Sequence, residues 1–267
     1  GDTKHVLLFP EDPHESFEFG ARAFDLAERL QTPVFVMLDL DIGMNDRLCE
    51  PLTWDDSRRY DRGKVMGFDD LESGKEFGRY LDVDGDGIAY RTYPGTHPAR
   101  GSFFTRGTTK DRYARYSEAG TDYMDNMQRL LRKFETAKTL LPQPALRKAL
   151  QPTRLGVIYY GSTSPAMQEA LDTLEQQGLH FDALRIRAFP FHDQVAEFIA
   201  EHDQIFVIEQ NRDAQMRILL VNECEVNPAK ITPVLHYDGT PITARFIIKE
   251  VAQDVAALKA KPRVRTV

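Results

Sequence analysis

The sequence predicts an α/β protein with a mostly parallel sheet, and three observations carry that expectation. Two short apolar runs, Leu155-Gly156-Val157-Ile158-Tyr159-Tyr160 and Ile205-Phe206-Val207-Ile208, have the length and continuity of strands buried on both faces. Helical periodicity follows the first run: Met167, Ala170, Leu171 and Leu174 recur at i, i+3, i+4 and i+7. A second strand–helix–strand pattern opens the chain.

That opening begins at His5-Val6-Leu7-Leu8-Phe9, which reads as an interior strand with almost nothing before it. Asp12-Pro13-His14-Glu15 then offers an N-cap, a first-turn proline and a glutamate at N3, the pattern of a capping box. Phe17, Ala21, Phe24, Ala27 and Leu30 place an apolar face on the helix that follows. Pro33 leads into Val34-Phe35-Val36-Met37-Leu38, a second buried strand, which ends at Asp39-Leu40-Asp41. One βαβ unit cannot enclose a core, so residues 1–50 are expected to be the end of a larger domain. Its other strands are expected upstream or on a partner chain.

Residues 51–152 form a connecting region rich in Gly, Asp, Arg and aromatics. No periodicity shows from Glu50 to Gly120, a stretch too long for a passive loop in a compact domain. A long helix follows, striped by Met124, Met127, Leu131, Phe134 and Ala137 and stopped by Pro142; Gln143-Pro144 through Gln151-Pro152 reads as a linker.

The third part, 153–267, contains the two buried runs. The first breaks at Gly161-Ser162-Thr163, and Ser164-Pro165 supplies a cap and a first-turn proline for the helix that Gly178 stops. The second ends in Glu209-Gln210-Asn211. Polar residues at the carboxyl ends of such strands stand where open α/β sheets carry their sites. Val234-Leu235-His236-Tyr237, a turn at Asp238-Gly239-Thr240-Pro241 and a helix through Ile247, Val251 and Val255 complete the pattern, before a basic tail expected to fray.

Composition narrows the function. At 267 residues the chain can hold two compact domains, and 42% hydrophobic residues is ordinary for a folded protein. No run approaches the roughly 18 residues that cross a membrane. A net charge of −7 argues against nucleic acid as the partner. Cys49 and Cys224 are too few for a disulfide framework, an iron–sulfur cluster or a cysteine zinc site, and no charged-then-apolar leader pattern opens the chain. A cytoplasmic setting is the expectation.

Two constellations in the connecting region invite functional readings. Asp82-Val83-Asp84-Gly85-Asp86-Gly87 copies the opening of a calcium loop, although position twelve is Tyr93 instead of a bidentate glutamate. It reads either as a Ca2+ or Mg2+ site on Asp82, Asp84 and Asp86 or as a plain Asp/Gly turn. The second is a basic island: Arg91, Arg100, Arg106, Lys110, Arg112 and Arg115 face Asp111 alone. Guanidinium forks match carboxylates and phosphates, so Arg91, Arg106, Lys110 and Arg112 are candidate substrate-binding residues. Pairing with acidic residues of this chain or a neighbour is the alternative.

Other motifs resolve less. His14-Glu15 lacks the second histidine of a zinc-hydrolase helix, and the remaining histidines show no metal spacing. Gly161-Ser162-Thr163-Ser164-Pro165 could cradle an anion or simply turn and cap; it lacks the Gly-Lys-Ser/Thr ending of a P-loop. Ser162 and Ser164 lack the Gly-x-Ser-x-Gly elbow. Asp39, Asp41 and Asn45 could line a site or solvate a strand end, and Glu209 reads as buried and structural.

Several of these segments resemble a known family. Leu7-Leu8-Phe9-Pro10-Glu11-Asp12-Pro13-His14-Glu15, Ala23-Phe24-Asp25-Leu26-Ala27-Glu28 and Thr32-Pro33-Val34-Phe35-Val36 are similar to the end of the pyrimidine-binding domain in alpha subunits of 2-oxoacid:ferredoxin oxidoreductases. Asp82 to Gly95 and Phe103-Phe104-Thr105-Arg106-Gly107 resemble the segment that follows in 2-oxoglutarate-type members. Many of those carry a Thr-Gly-x-Glu-His-x-Glu-like stretch where this chain has Arg106-Gly107-Thr108-Thr109-Lys110-Asp111-Arg112, without the His and Glu. Gly156 to Gly161, Ile205 to Gln215 and Asp238-Gly239-Thr240-Pro241 resemble the transketolase-C-terminal-type domain of the same subunits.

The resemblance implies the end of a pyrimidine-binding-type α/β domain followed by a transketolase-C-terminal-like domain. It implies an enzyme complex that converts a 2-oxoacid, 2-oxoglutarate foremost, and coenzyme A to acyl-CoA and CO2 while reducing ferredoxin. Thiamine diphosphate with Mg2+ and a 4Fe–4S cluster would be bound mainly by upstream segments and a beta subunit, in an α2β2-type assembly. The chain would then be the C-terminal half of an alpha subunit, without catalytic residues of its own and inactive alone. The alternatives are a non-catalytic assembly module, or a pyruvate-specific or transketolase-like relative in another thiamine-dependent complex.

Overall fold

The computed structural model describes residues 4–260, so most of the basic tail falls outside the described residues. The chain divides into two compact units. The first comprises Gly1–Leu7, Glu18–Phe35 and Thr53–Leu141; the second comprises Leu8–Phe17, Val36–Leu52 and Pro142–Val267.

The opening strand–helix–strand pattern is present as β1 (Val6–Leu8), α1 (Pro13–Leu30) and β2 (Val34–Val36). Asp12 caps α1 by accepting the Glu15 N–H at 2.7 Å. The Glu15 carboxylate returns to the Glu11 N–H at 2.9 Å and not to Asp12, so only half of the expected capping box forms. The apolar stripe is also rotated from expectation: Phe19, Leu26 and Leu30 are buried, while Phe24 is 69% exposed. β2 is shorter and more open than the buried strand expected over Val34–Leu38. It stops at Val36, and Met37 and Leu38 are about half exposed. A short helix follows, α2 (Leu40–Met44), capped by Asp39.

In the first unit the stretch after Thr53 is irregular, as its lack of periodicity predicts. It holds one short helix, α3 (Phe68–Glu72), and isolated bridges Val65–Arg91 and Lys110–Tyr116. Side chains supply much of its order: Gln31 donates to the Ala89 carbonyl at 2.6 Å, Thr92 to Gly101 at 2.6 Å and Thr136 to Asp86 at 2.8 Å. Gly87 has φ +80°, and a Cβ there would stand 2.2 Å from the Lys133 nitrogen, so only glycine lets the loop touch the long helix. That helix, α4 (Gly120–Leu140), stops before Pro142 as expected. Its stripe is apolar and buried only in its second half, at Phe134 and Ala137; Met124 and Leu131 are 65% and 47% exposed.

The second unit is built on a five-stranded sheet of order β3-β5-β4-β7-β8. Its elements are β3 (Ala145–Arg147), β4 (Leu155–Tyr160), α5 (Ser164–Gln176), β5 (Asp182–Ile186), β6 (Ala188–Phe189), α6 (Asp193–Glu201), β7 (Gln204–Glu209), α7 (Gln215–Glu223), β8 (Ile231–Leu235) and α8 (Ala244–Ala260). β5, β4, β7 and β8 run parallel; β3 alone is antiparallel, with Leu146 opposite Leu184. β3 lies in the expected linker. Three residues without alternation carry no strand signal, and backbone bonds to β5 decide the matter. Leu8 and Phe9 run beside β6 and the chain after β2, with Phe9 N–H donating to Arg187 O and Met37 N–H to Leu8 O, both at 2.8 Å.

Both faces of the sheet are covered, which is why its strands read as continuous apolar runs. Val157, Tyr159, Phe206 and Ile208 meet α5 and α8, whose Met167, Ala170, Leu171, Leu174, Ile247, Val251 and Val255 are all buried. Gly156 looks the other way, against Ile205 and the Phe198 ring of α6; an added Cβ would meet them at 2.7 and 2.9 Å. β8 forms one margin of the sheet and carries Pro233; β3, preceded by Pro144, forms the other.

Candidate functional site

The strand order creates one position of special interest. β4 connects to β5 on one side, while β7 returns on the other, so the β4–β7 boundary is the topological switch point where a crevice opens at the carboxyl ends. β4 ends at Tyr160, and Gly161, with φ +60°, turns the chain into a single 3-10 turn before α5. β7 ends at Glu209, which is fully buried. Its carboxylate accepts the Met216 and Arg217 N–H groups at 2.7 and 2.9 Å, placing negative charge at the N-terminus of α7. Glu209 is therefore structural, as expected.

The residues just beyond the strands are joined. Gln210 donates its amide to Ser162 Oγ at 2.8 Å and to Thr163 Oγ1 at 3.2 Å. The Ser162 hydroxyl also donates to the Asp39 carboxylate, whose other oxygen accepts the Ile42 N–H at 3.1 Å. Beside this chain of bonds lies a cleft of about 380 Å3 lined by Asp39, Leu40, Asp41, Gln210, His236 and Tyr237 among others. His236 is buried; its N–H donates to the Glu209 carbonyl at 2.9 Å. Burial, and then the charges of Glu209 and Asp39, raise the Tyr160 phenol well above its ordinary range, so it stays neutral. Ser162 donates to a carboxylate and accepts from an amide, so in this arrangement it serves as a hydrogen-bonding link between the strand ends. Of the strand-end acids, Asp39 lies in this chain of bonds, while Asp41 pairs with Arg47 at 3.0 Å and with Asn45 at 3.3 Å.

A buried ion cluster stands in the same unit and escaped sequence reasoning. Glu15, 7% exposed, accepts both Arg185 amino groups, at 2.7 and 3.1 Å, and Arg187 Nε at 2.8 Å. Burial pushes the Glu15 carboxyl up, but the bonds and charges of Arg185 and Arg187 outweigh it and hold the group below its ordinary range. Arg185 also meets Glu11 at 3.0 Å, and Glu11 accepts the Ser164 hydroxyl. Ser164 is the first residue of α5 and not its expected cap; Thr163 holds the cap position and makes no side-chain cap bond. Arg185 standing among Ala183, Leu184 and Ile186 was the available signal for this cluster.

In the first unit the basic island is divided. Arg91 pairs with Glu28 and donates to the Arg62 carbonyl at 2.7 Å. Arg112 grips Asp125 with two bonds of 3.0 Å. Arg106 lies over the Tyr116 ring, 5.4 Å from its centroid. Lys110 lines a cleft of about 410 Å3 with Tyr80, Thr108, Thr109, Asn126 and Arg129. The structure therefore brings Arg106 and Lys110 together through Tyr116 and commits Arg91 and Arg112 to carboxylates. Of the acidic triplet, Asp84 and Asp86 each hold the Lys64 ammonium at 2.7 Å, while Asp82 faces Arg132 at 3.1 Å. A lysine thus occupies the place of a cation, and among the described residues no group of three His, Cys, Asp or Glu is arranged to hold a metal ion.

No protein-family model matches the chain. It is 25% identical over 247 residues to subunit alpha of 2-oxoacid:ferredoxin oxidoreductase 2 from Aeropyrum pernix, covering 91% of this chain and 37% of that protein. It is 23% identical to the 2-oxoacid:ferredoxin oxidoreductase subunit alpha of Saccharolobus solfataricus, covering all of this chain and 41% of that protein. The chain thus spans about two fifths of the length of these curated relatives. Among solved structures it is similar to 2-oxoglutarate:ferredoxin oxidoreductase from Magnetococcus marinus, with 2-oxoglutarate, coenzyme A and succinyl-CoA bound. That likeness has a TM-score of 0.80 at 19% identity over 96% of this chain and 43% of that chain, a likeness of fold. The resemblance to alpha subunits of this family, read first from short segments, therefore extends across nearly the whole chain.

Proposed function

We propose that this chain works as part of the alpha subunit of a 2-oxoacid:ferredoxin oxidoreductase. The complex would decarboxylate a 2-oxoacid, transfer the acyl group to coenzyme A and pass two electrons to ferredoxin. The observation that carries this reading is sequence likeness to curated alpha subunits of that name across 91% of the chain or more, through both compact units. 2-Oxoglutarate is the preferred substrate in this reading, supported by the ligands of the Magnetococcus marinus relative. A beta subunit and ferredoxin are the partners it implies, in an α2β2-type assembly in the cytoplasm. Among the described residues no helix is long and apolar enough to cross a membrane.

Thiamine diphosphate with Mg2+ would supply the carbanion chemistry of the complex, and a 4Fe–4S cluster its electron path. The donors in this chain fit neither group. Cys49 and Cys224 are its only cysteines, and the described residues gather no metal-binding trio. In this reading both groups belong to other parts of the complex, and the chain would be inactive alone. Its own contribution is positional: the switch-point cleft presents the Gln210 amide, the Asp39 carboxylate and the His236–Tyr237 strand end to whatever group enters it.

The test is to isolate the chain from its native source with co-purifying partners and assay viologen reduction without oxygen. Reduction that requires a 2-oxoacid, coenzyme A and a second chain supports the assignment, and a panel including 2-oxoglutarate and pyruvate selects the substrate. No reduction with intact partners and added thiamine diphosphate removes it. A purely architectural role is the second reading, favoured by Leu40, Met44 and Leu48, which are 74%, 78% and 105% exposed. In that case Arg106→Ala and Lys110→Ala would alter subunit association and leave the turnover of assembled complex unchanged.

A further inference from the structure

The first unit gathers cations around one aromatic ring. Three cations stand around the Tyr80 ring: Lys110 Nζ at 5.3 Å from the centroid, Arg79 at 5.4 Å and Arg129 at 5.6 Å. One helical turn beyond Arg129, Lys133 is only 6% exposed. Arg129 makes one bond, to the Gly87 carbonyl at 2.9 Å, and its Nε is buried without a partner. Of the nearby acids, Asp125 holds Arg112, Asp84 and Asp86 hold Lys64, and Asp82 faces Arg132 with one oxygen while its other oxygen is buried without a bond, its charge acting on Arg129 from a distance.

Aromatic faces attract cations, but one ring does not replace the counter-charge that several half-buried cations need. Burial, followed by the charges of Arg129 and Arg79, pulls the Lys133 ammonium down to about 8, and burial lowers both arginines as well. Two of these cations, Lys110 and Arg129, line an opening, the cleft of about 410 Å3 whose wall also includes Tyr80, Thr108 and Thr109. Lys110 is held at its rim through the main chain: Asn126 donates to its carbonyl at 2.6 Å, and Lys110 bridges Tyr116.

We propose that this cleft binds a small multi-oxygen anion, a carboxylate or phosphate group free or at the end of a larger molecule, gripped by Lys110 and Arg129 with Arg79 and Lys133 supplying charge nearby. Phosphate and carboxylate both suit a guanidinium fork beside an ammonium. The cleft keeps this chemistry whether or not the chain serves the complex proposed above.

The test is a titration of the full chain with inorganic phosphate and, separately, with succinate, at constant ionic strength in chloride, followed by backbone amide NMR. Saturable shifts at Tyr80, Thr109, Lys110 and Arg129 are expected for at least one anion, and the tighter of the two names the source. Lys110→Gln and Arg129→Gln should each weaken binding about tenfold or more, as loss of a charge-assisted contact does. Lys133→Met, which keeps the buried stem and removes the charge, should weaken binding less while the amide spectrum stays dispersed. No saturable response to either anion in the millimolar range overturns the proposal, as does binding unchanged in both glutamine variants. If Arg129→Gln disturbs the fold, Lys110→Gln at the rim decides alone.

Discussion

Gln210, just past β7, donates its side-chain amide to the hydroxyl of Ser162, just past β4, at 2.8 Å, tying two adjacent parallel strand ends across the switch point. Replacing Gln210 with Leu keeps the volume and removes the tie. A part-buried neutral hydrogen bond of this kind contributes about 1 kcal/mol. The variant should therefore unfold at a lower urea midpoint with an unchanged slope. An unaltered midpoint would show that the Asp39–Ser162 bond alone holds the turn.

Glu15 should be more costly to change. Glu15→Gln removes the charge that Arg185 and Arg187 share and leaves Arg185, 6% exposed, without its bidentate acceptor. Breaking one side of a buried pair costs roughly 3–5 kcal/mol, whereas replacing both sides costs far less. The double variant Glu15→Gln with Arg185→Met should therefore recover stability over the single one. Because the folded Glu15 carboxyl lies below its ordinary range, its contribution is present above the ordinary carboxyl range and lost as pH falls through the lower folded value. Acid titration of stability should be shallower in Glu15→Gln than in the parent, and equal slopes would refute the linkage.

Lys133 acts with the opposite sign. The unfolded ammonium keeps its proton up to 10.5, while the folded one yields it near 8. The unfolded state binds more protons between those values, so stability should rise with pH across that window. Lys133→Met lacks the penalty and should exceed the parent below pH 8 by an amount on the order of 3 kcal/mol. The gap should narrow toward pH 10. Thermal melts in chloride buffers check this, and parallel pH profiles would contradict it.

Gly156→Ala probes packing on the β4–α6 side. The new Cβ would lie 2.7 Å from Ile205 Cδ1 and 2.9 Å from the Phe198 ring. Overpacking of this kind costs about 1–3 kcal/mol. Pairing it with Phe198→Leu should recover part of the loss, and a Tm equal to the parent's would mean that α6 moves freely.

The parts of the fold legible in the sequence are those with strong local signals. β4, α5, β7 and α8 were readable because both faces of the sheet are covered and Gly178 and Pro165 punctuate the helix. β5 was not, because Asp182 and Arg185 interrupt its apolar run; both are buried only because partners distant in sequence, His202 and Lys148 for one and Glu15 for the other, satisfy them. The rotation of the α1 stripe has the same origin: Phe19 and Phe24 are chemically equal, and tertiary packing chooses between them. The basic island was visible as composition. Which of its members face carboxylates and which face the cleft depends on Glu28 and Asp125, and no spacing rule encodes those pairs. Arg79, Arg129 and Lys133 went unnoticed because two of them lie within an ordinary helical pattern.

The two margins of the second unit's sheet each carry a proline, Pro144 just before β3 and Pro233 within β8. A proline offers no N–H, so a free strand approaching β8 finds the ladder of donors interrupted at Pro233, while Pro144 supplies no donor to lengthen the β3 edge. The β8 margin is thereby a poor template for a further strand, so contact there falls to side chains and not to edge-to-edge growth into fibrils.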